Sequence, residues 1–409
     1  MPDCPALLPP VLPPIVTIHV PICNEPPDQV CRLLTALAAL DYPAFEVLVV
    51  DHNTADPKLW ESVARDCARH GARFRFFHLG RWPSGRAGAL NFARAQATGG
   101  AEVVAVLDAG VVVPRDWLRC VMPDFANPRV GVVRSPYLVR TVALDSIGGW
   151  AEWAVTEDAA LDLALLQGGW LPADPAVSFD RGSADFAKQR WQTARRAYGA
   201  AQIGRRCWRR LFSPFDRELA LRQRWRFVSG WLPWAGDALA LLLLIVNLIL
   251  SIGLAMASWR VGVPAVLVML VPLGLLACRL GGIRGTRIDA TIAELALSHT
   301  VARAFWNGLL ARDAPGLHPV RPRQMPTWTD GLWREELALL LLIWTVLAGI
   351  ATVHGFATWG AILWCGVLLL QSVPYLAAAS VTVLAAQRAW QPVAARSSLQ
   401  AVARTGAGD

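Results

Sequence analysis

The sequence predicts an α/β domain on a mostly parallel sheet, followed by an α-helical membrane region of four spans. Short β-branched or apolar runs alternate with helical stretches through the first half, and four long, nearly uncharged segments occupy the second. Most acidic residues lie before residue 230, while the 54% apolar fraction of the 409 residues owes most to the second half. Strands this apolar, separated by helices, are covered on both faces and pair in parallel.

Each element has its own local signal. Residues 1–14 are Pro-rich, lack the basic start of a secretory signal and read as a disordered lead-in. The α/β domain runs over 15–229. Ile15–Val20 is a strand ended by Pro21, and a helix follows from about Pro27 to Leu40. Phe45–Val50 is the second strand, ending at Asp51, with a helix over Leu59–His70. Phe74–Leu79 is the third strand, Ala87–Ala97 a helix, and Val103–Leu107 the fourth strand, ending at Asp108.

The membrane region, 230–409, holds spans at about 238–258, 261–278, 337–353 and 357–384. The first has Asn247 as its main polar interruption and crosses a bilayer at about 1.5 Å per residue. Only Trp259 and Arg260 separate the first two spans and His354–Phe356 the last two, so each pair is a tight hairpin. Between the pairs, 279–334 is Arg-rich. Its stretch Ala290–Ala311 carries apolar residues at helical spacing, as an interfacial segment does.

The formal net charge of +8 raises the question of nucleic acid. Many arginines, however, cluster just before the first span (Arg205, Arg206, Arg209, Arg210, Arg222, Arg224, Arg226). Basic flanks of that kind face the cytoplasm and the lipid bilayer. The expected surroundings are therefore a bilayer and no nucleic acid, with the α/β domain on the cytoplasmic side. Eight scattered cysteines with no C-x-x-C pair fit neither a zinc site nor a disulfide framework.

Several residues stand where such a sheet presents chemistry. Carboxylates at the C-terminal ends of strands face the crevice where open α/β sheets bind ligands. Asp51, before the polar turn His52-Asn53-Thr54, can accept hydrogen bonds from a base or ribose, or simply sit in a solvated turn. Arg86-Ala87-Gly88-Ala89-Leu90-Asn91 opens a helix with a cation and small residues, which suits a diphosphate. Asp108 could ligate Mg²⁺ or Mn²⁺. Gly110 stands where a second carboxylate would share the ion, so a weakened site is expected. Thr156 caps the helix that Glu157 and Asp158 begin. Capping accounts for Glu157 as well as a functional role does, whereas Asp158 can act as general base toward a hydroxyl. Gln192 and Arg195 lie in a basic helix, where Arg195 either clamps a leaving diphosphate or faces lipid.

In order, these motifs resemble family 2 glycosyltransferases of the cellulose-synthase-like type, nearest to bacterial membrane β-glucan (β-1,3-type) glucosyltransferases. The matching stretches are Val20-Pro21-Ile22-Cys23-Asn24-Glu25-Pro26-Pro27, Asp51-His52-Asn53-Thr54, Arg86 to Asn91, Gly148-Gly149-Trp150 with Thr156-Glu157-Asp158, Tyr198 to Ile203 and Ser298 to Ala304. The resemblance implies a GT-A-like nucleotide-diphospho-sugar transferase domain. In it Asp51 and Arg86 bind the nucleotide and diphosphate of a UDP-sugar, together with Glu157. Asp108 touches the metal, and Asp158 is the base of an inverting displacement. Gln192 and Arg195 border diphosphate and acceptor, and the spans guide a growing glucan. The chain departs from the family's usual pattern at Gly110, at Arg86 (usually Lys), at Arg196 (usually Trp) and in a short Tyr137–Ser146 segment. Those departures imply a second reading: a catalytically impaired paralogue serving as scaffold or partner of synthase-complex subunits.

Overall fold

A computed structural model of the chain describes residues 13–134, 136–173, 186–212, 221–256, 274, 288–311, 334–354 and 359–390. Sequence expectations that lie partly or wholly outside these residues are the lead-in up to residue 12, the second span at 261–278, the outer two residues of the first and fourth spans, and most of 279–334 apart from its helix. Contacts divide the chain into two compact units. One comprises Met1–Asp185, Tyr198–Gly230 and Gly308–Gln324, the other Phe186–Ala197, Trp231–Asn307 and Met325–Asp409, in each case through their described residues.

The first unit has its elements in the expected order: β1 (Val16–Ile22), which runs on through Pro21 rather than ending there, α1 (Pro27–Ala38), β2 (Phe45–Asp51), α2 (Pro57–Arg69), β3 (Phe74–His78), α3 (Gly85–Gln96) and β4 (Val103–Val106). It continues with α4 (Trp117–Val121), β5 (Val130–Val133), β6 (Leu138–Arg140), α5 (Thr141–Ser146), α6 (Glu157–Gln167) and β7 (Leu171–Ala173). The seven strands form one sheet in the order β3-β2-β1-β4-β6-β5-β7. The first four are parallel, β6 runs antiparallel to β4, and β5 pairs antiparallel with β6 and parallel with β7. Val16 is in register with both Phe45 and Val103, so the parallel strands start level. Their C-terminal ends therefore emerge along one edge, which is where Asp51 and Asp108 stand.

Two helix starts differ from expectation. Asp56 caps α2, accepting from the Lys58 backbone N–H at 3.1 Å, and Pro57 takes the first helical position, so the helix begins before Leu59. Helix α3 begins at Gly85 rather than Ala87, which brings Arg86 into its first turn. The Tyr137–Ser146 segment, in sequence no more than a shortened connection, forms β6 and α5.

Apolar residues cover both sheet faces. Leu33, Leu34 and Leu37 of α1 are fully buried with Val16, Ile18, Val47 and Val49, and Trp117 closes that side. On the other, Ala87 and Leu90 of α3 and Leu161 and Leu165 of α6 pack with Val104, Val106, Leu144 and Trp150. Each fully buried Leu or Val stabilises the fold by about 1.5–3 kcal/mol, so α3 and α6 are held by the sheet rather than by propensity.

Beyond β7 the chain is helical: α7 (Phe186–Phe212), α8 (Leu221–Ser229), α9 (Leu232–Met256), α10 (Ile288–Leu310), α11 (Arg334–His354) and α12 (Trp359–Trp390). Among the described residues three helices are long and apolar enough to cross a membrane, over Leu232–Ile252, Arg334–Val353 and Ala361–Thr382. The four expected spans thus become three in the described chain, the second lying outside it. Asn247, the polar interruption of the first, donates to Gln371 Oε1 at 3.1 Å, and Trp364 Nε1 donates to Ser251 Oγ at 2.7 Å. Polar pairs between apolar helices satisfy groups that lipid could not.

Candidate functional site

At the sheet's C-terminal edge three expected residues meet. Arg86, in the first turn of α3, donates through Nη1 to Asp108 Oδ1. Its Nε lies 2.7 Å from Glu157 Oε1, an ion pair whose N–H is not aligned for a hydrogen bond. The loop after β4 supplies Asp108, the N-terminus of α6 supplies Glu157, and the small first turn of α3 lets the guanidinium lie between them. A Cβ at Gly88 would come within 2.5 Å of Ser84 Cβ and Trp82 Nε1, so only glycine lets this turn close on its own loop. Glu157 is buried, its side chain 7% exposed, whereas Asp108 is 62% exposed. Burial alone would lower the guanidinium's pKa, but Asp108 and Glu157, and Asp158 more weakly, hold it above its ordinary value.

Asp158 is exposed next to this cluster, with its Oδ1 2.9 Å from the Ala159 backbone N–H. Thr156 stands at the N-cap position of α6 as expected, but its side chain makes no capping hydrogen bond, and its hydroxyl is buried without a partner among the described residues. What fixes the entry to α6 is an amide that lies in the matching stretch Tyr198 to Ile203 without an expected role: Gln202 accepts from Val155 N at 3.0 Å and donates to Trp153 O at 2.9 Å. Tyr137, also without an expected role, donates to Asp162 Oδ1 at 2.8 Å, and Arg134 grips Asp162 Oδ2 through Nε and Nη2. Burial pushes Asp162 above the usual carboxylate range despite Arg134, and burial with Asp162 pushes the Tyr137 phenol up as well.

Asp51 occupies a separate position at the end of β2 and is 1% exposed. Its Oδ1 accepts from Thr54 Oγ1 and its Oδ2 from His78 Nδ1, both at 2.6 Å. Burial raises its pKa, although both hydrogen bonds favour the carboxylate. His78 is the residue the sequence concealed here. Its ring stacks on Trp60 with centroids 4.2 Å apart, carrying Asp51 to a part-exposed aromatic surface. Asn53, at φ 59°, ties the turn after β2 to the loop before α3 by two hydrogen bonds with the Trp82 backbone. A left-handed Asn is a turn signal, and His52-Asn53-Thr54 is the polar turn its composition predicts.

Gln192 and Arg195 lie in the part of α7 that belongs to the second unit. The Arg195 guanidinium sits 5.8 Å over the Trp191 ring. The basic flank is not uniformly solvated: Arg206 stacks 4.5 Å over Trp153 and Arg224 is 8% exposed.

These residues do not fit a divalent ion. Mg²⁺ or Mn²⁺ in such a site is held by one or two carboxylates, with water and phosphate completing its shell, and among the described residues no three His, Cys, Asp or Glu side chains converge. Asp108 is already engaged by Arg86, and Gly110 offers no ligand although a Cβ there would meet only Gln29 Oε1 at 3.9 Å.

Comparison with known proteins agrees with the fold. Residues 17–145 match the family model of glycosyl transferase family 2. The β-monoglucosyldiacylglycerol synthase of Synechocystis sp. is 27% identical over 184 residues, 34% of this chain and 38% of the relative. The synthase of the same name from Trichormus variabilis is 27% identical over 203 residues, 38% of this chain and 42% of the relative. The matched region thus spans about two-fifths of those relatives' length. Among solved structures, the mannosyltransferase PcManGT from Pyrobaculum calidifontis in complex with GDP-Man and Mn²⁺ is 17% identical, with a TM-score of 0.42 over 90% of this chain and 87% of that one. S. aureus TarS 1–349 in complex with UDP-GlcNAc is 17% identical, with a TM-score of 0.33 over 73% of this chain and 93% of that one. Residues 17–145, which match glycosyl transferase family 2, run from the parallel strands of this sheet into its antiparallel strand β6 and helix α5.

Proposed function

We propose that the chain transfers a hexosyl unit from a UDP-sugar to a hydroxyl acceptor met at the membrane, by a single inverting displacement. The observation that carries this reading is the cluster of Arg86, Asp108 and Glu157 at the C-terminal sheet edge, with exposed Asp158 beside it. In the reaction Asp158 takes the acceptor's hydroxyl proton and the oxygen attacks the anomeric carbon from the face opposite the diphosphate. The anomeric C–O bond breaks with its electrons leaving on UDP. Arg86 offsets the charge that builds on the departing diphosphate. Asp51 positions His78 and Trp60 as one wall for the nucleotide. The Mg²⁺ or Mn²⁺ expected at Asp108 enters no step, because that carboxylate is paired with Arg86.

For the acceptor, the glucosyl-lipid synthases among the relatives and the three apolar helices favour a lipid hydroxyl such as that of a diacylglycerol. The ordered motifs, with their likeness to β-glucan synthases, favour a glucan end instead. The arginines ahead of α9 support a transferase unit on the cytoplasmic face of a bacterial inner membrane.

Detergent-purified chain given radiolabelled UDP-glucose and diacylglycerol vesicles separates these readings. Label entering the organic phase supports the lipid acceptor, and label in a glucanase-sensitive polymer supports the glucan. Label entering neither, with no UDP formed from any UDP-hexose, sinks the enzyme reading and leaves the scaffold role.

A further inference from the structure

We propose that the Arg86 guanidinium is the built-in cation for the donor diphosphate, so that this chain holds a nucleotide diphosphate without a divalent metal. The inference rests on reading the site as a nucleotide-sugar pocket. Three observations carry it.

The first is that the position between the two cleft carboxylates is filled by a side chain. Arg86 reaches Asp108 through Nη1 and Glu157 through Nε, the latter at 2.7 Å. An ion approaching Asp108 would have to displace a guanidinium or sit against its like charge. The second is the donor set. Residue 110 carries no side chain, and no three ligating side chains converge among the described residues, so a divalent ion would have Asp108 as its one expected carboxylate, and that carboxylate is already paired with Arg86.

The third is the asymmetry of the two carboxylates. Glu157 is 7% exposed and sits on the first turn of a packed helix, so it anchors the guanidinium. Asp108 is 62% exposed on the loop after β4, so it can yield. Guanidinium has five N–H donors in a planar fork and its contact with Glu157 is at Nε, so the Nη edge can turn to phosphate oxygens once Asp108 swings aside. A lysine has three donors on one atom and lacks that fork, so it would serve the two partners less well.

The test is UDP binding to the full chain in detergent, measured by calorimetry once with EDTA and once with Mn²⁺. The expected result is a Kd that agrees within about threefold between the two, while R86Q weakens binding at least about tenfold in both (tenfold is 1.4 kcal/mol) and R86K recovers only part of it. Wild-type binding that falls tenfold or more with EDTA overturns the inference and leaves the functional reading standing. Unchanged binding by folded R86Q overturns it too. Absence of UDP binding in both conditions overturns the functional reading and this inference together. Should R86Q fail to fold, the wild-type comparison decides alone.

Discussion

Lowering the pH should destabilise the α/β unit through two buried histidines, and by an amount the structure fixes. His19 lies in the middle of β1 at 0% exposure, and neither ring nitrogen has a hydrogen-bond partner among the described residues. Burial lowers its pKa from 6.5 to about 3, with Glu46 opposing only in part. His52, 6% exposed, is lowered to about 4 by burial and then by Arg86. A folded-state pKa below the unfolded one means stability that is present above pH 6.5 and lost as pH falls toward the folded value. Between about pH 7 and pH 5 the unfolded chain takes up close to one proton per histidine and the folded chain almost none. At about 1.4 kcal/mol per pKa unit, each histidine then costs about 2 kcal/mol, or about 4 together. His19→Leu fills a similar volume and removes one titration. Denaturant unfolding of the full chain in detergent at both pH values should show wild type losing about 2 kcal/mol more than the variant. Equal losses in the two proteins would refute the reasoning, since His19 would then not be held neutral by its burial.

Other outcomes rest on single contacts. Asn91 accepts from Trp150 N at 2.9 Å and donates to Trp150 O at 3.0 Å, pinning the Gly148-Gly149 turn; Asn91→Ala should cost about 1–3 kcal/mol by thermal or denaturant unfolding. A Cβ at Gly199 would collide with the Thr156 side chain at the entry to α6. Gly199→Ala should therefore lower stability by about 1–3 kcal/mol and, by moving the turn that carries Glu157 and Asp158, reduce turnover more than UDP binding. Trp117 is fully buried, and Trp117→Ala should cost about 3–5 kcal/mol, readable as a lower unfolding midpoint.

The parallel half of the fold was legible because its signals are strong and local. β1 and β2 are seven-residue strands rich in β-branched and apolar residues, and the helices after them start with Pro or Asp punctuation. The antiparallel half was not: β5, β6 and β7 have four, three and three residues, too few for any period to show, and are defined by pairing with one another. The site divides the same way. Arg86, Asp108 and Glu157 were visible as charges at element ends, where a crevice was expected. Their mutual ion pairs were not visible, because they join residues 22 and 71 positions apart in sequence. His78, Tyr137 and Gln202 stayed hidden for a related reason: each acts only through a partner that the fold delivers. Asp51 was legible by position, yet its two oxygens turn inward to Thr54 and His78, which no local pattern announces.

Sugar transfer in this cleft, with Asp158 as base, is tested most directly by the rate of UDP release from UDP-hexoses by the full chain. The same rate is measured for Asp158→Asn, with UDP affinity determined in both proteins. The expected result is acceptor-dependent release by the wild type that falls by at least about a hundredfold in the variant, the scale of a general base's contribution, with UDP affinity little changed. Equal release by the two proteins would contradict it.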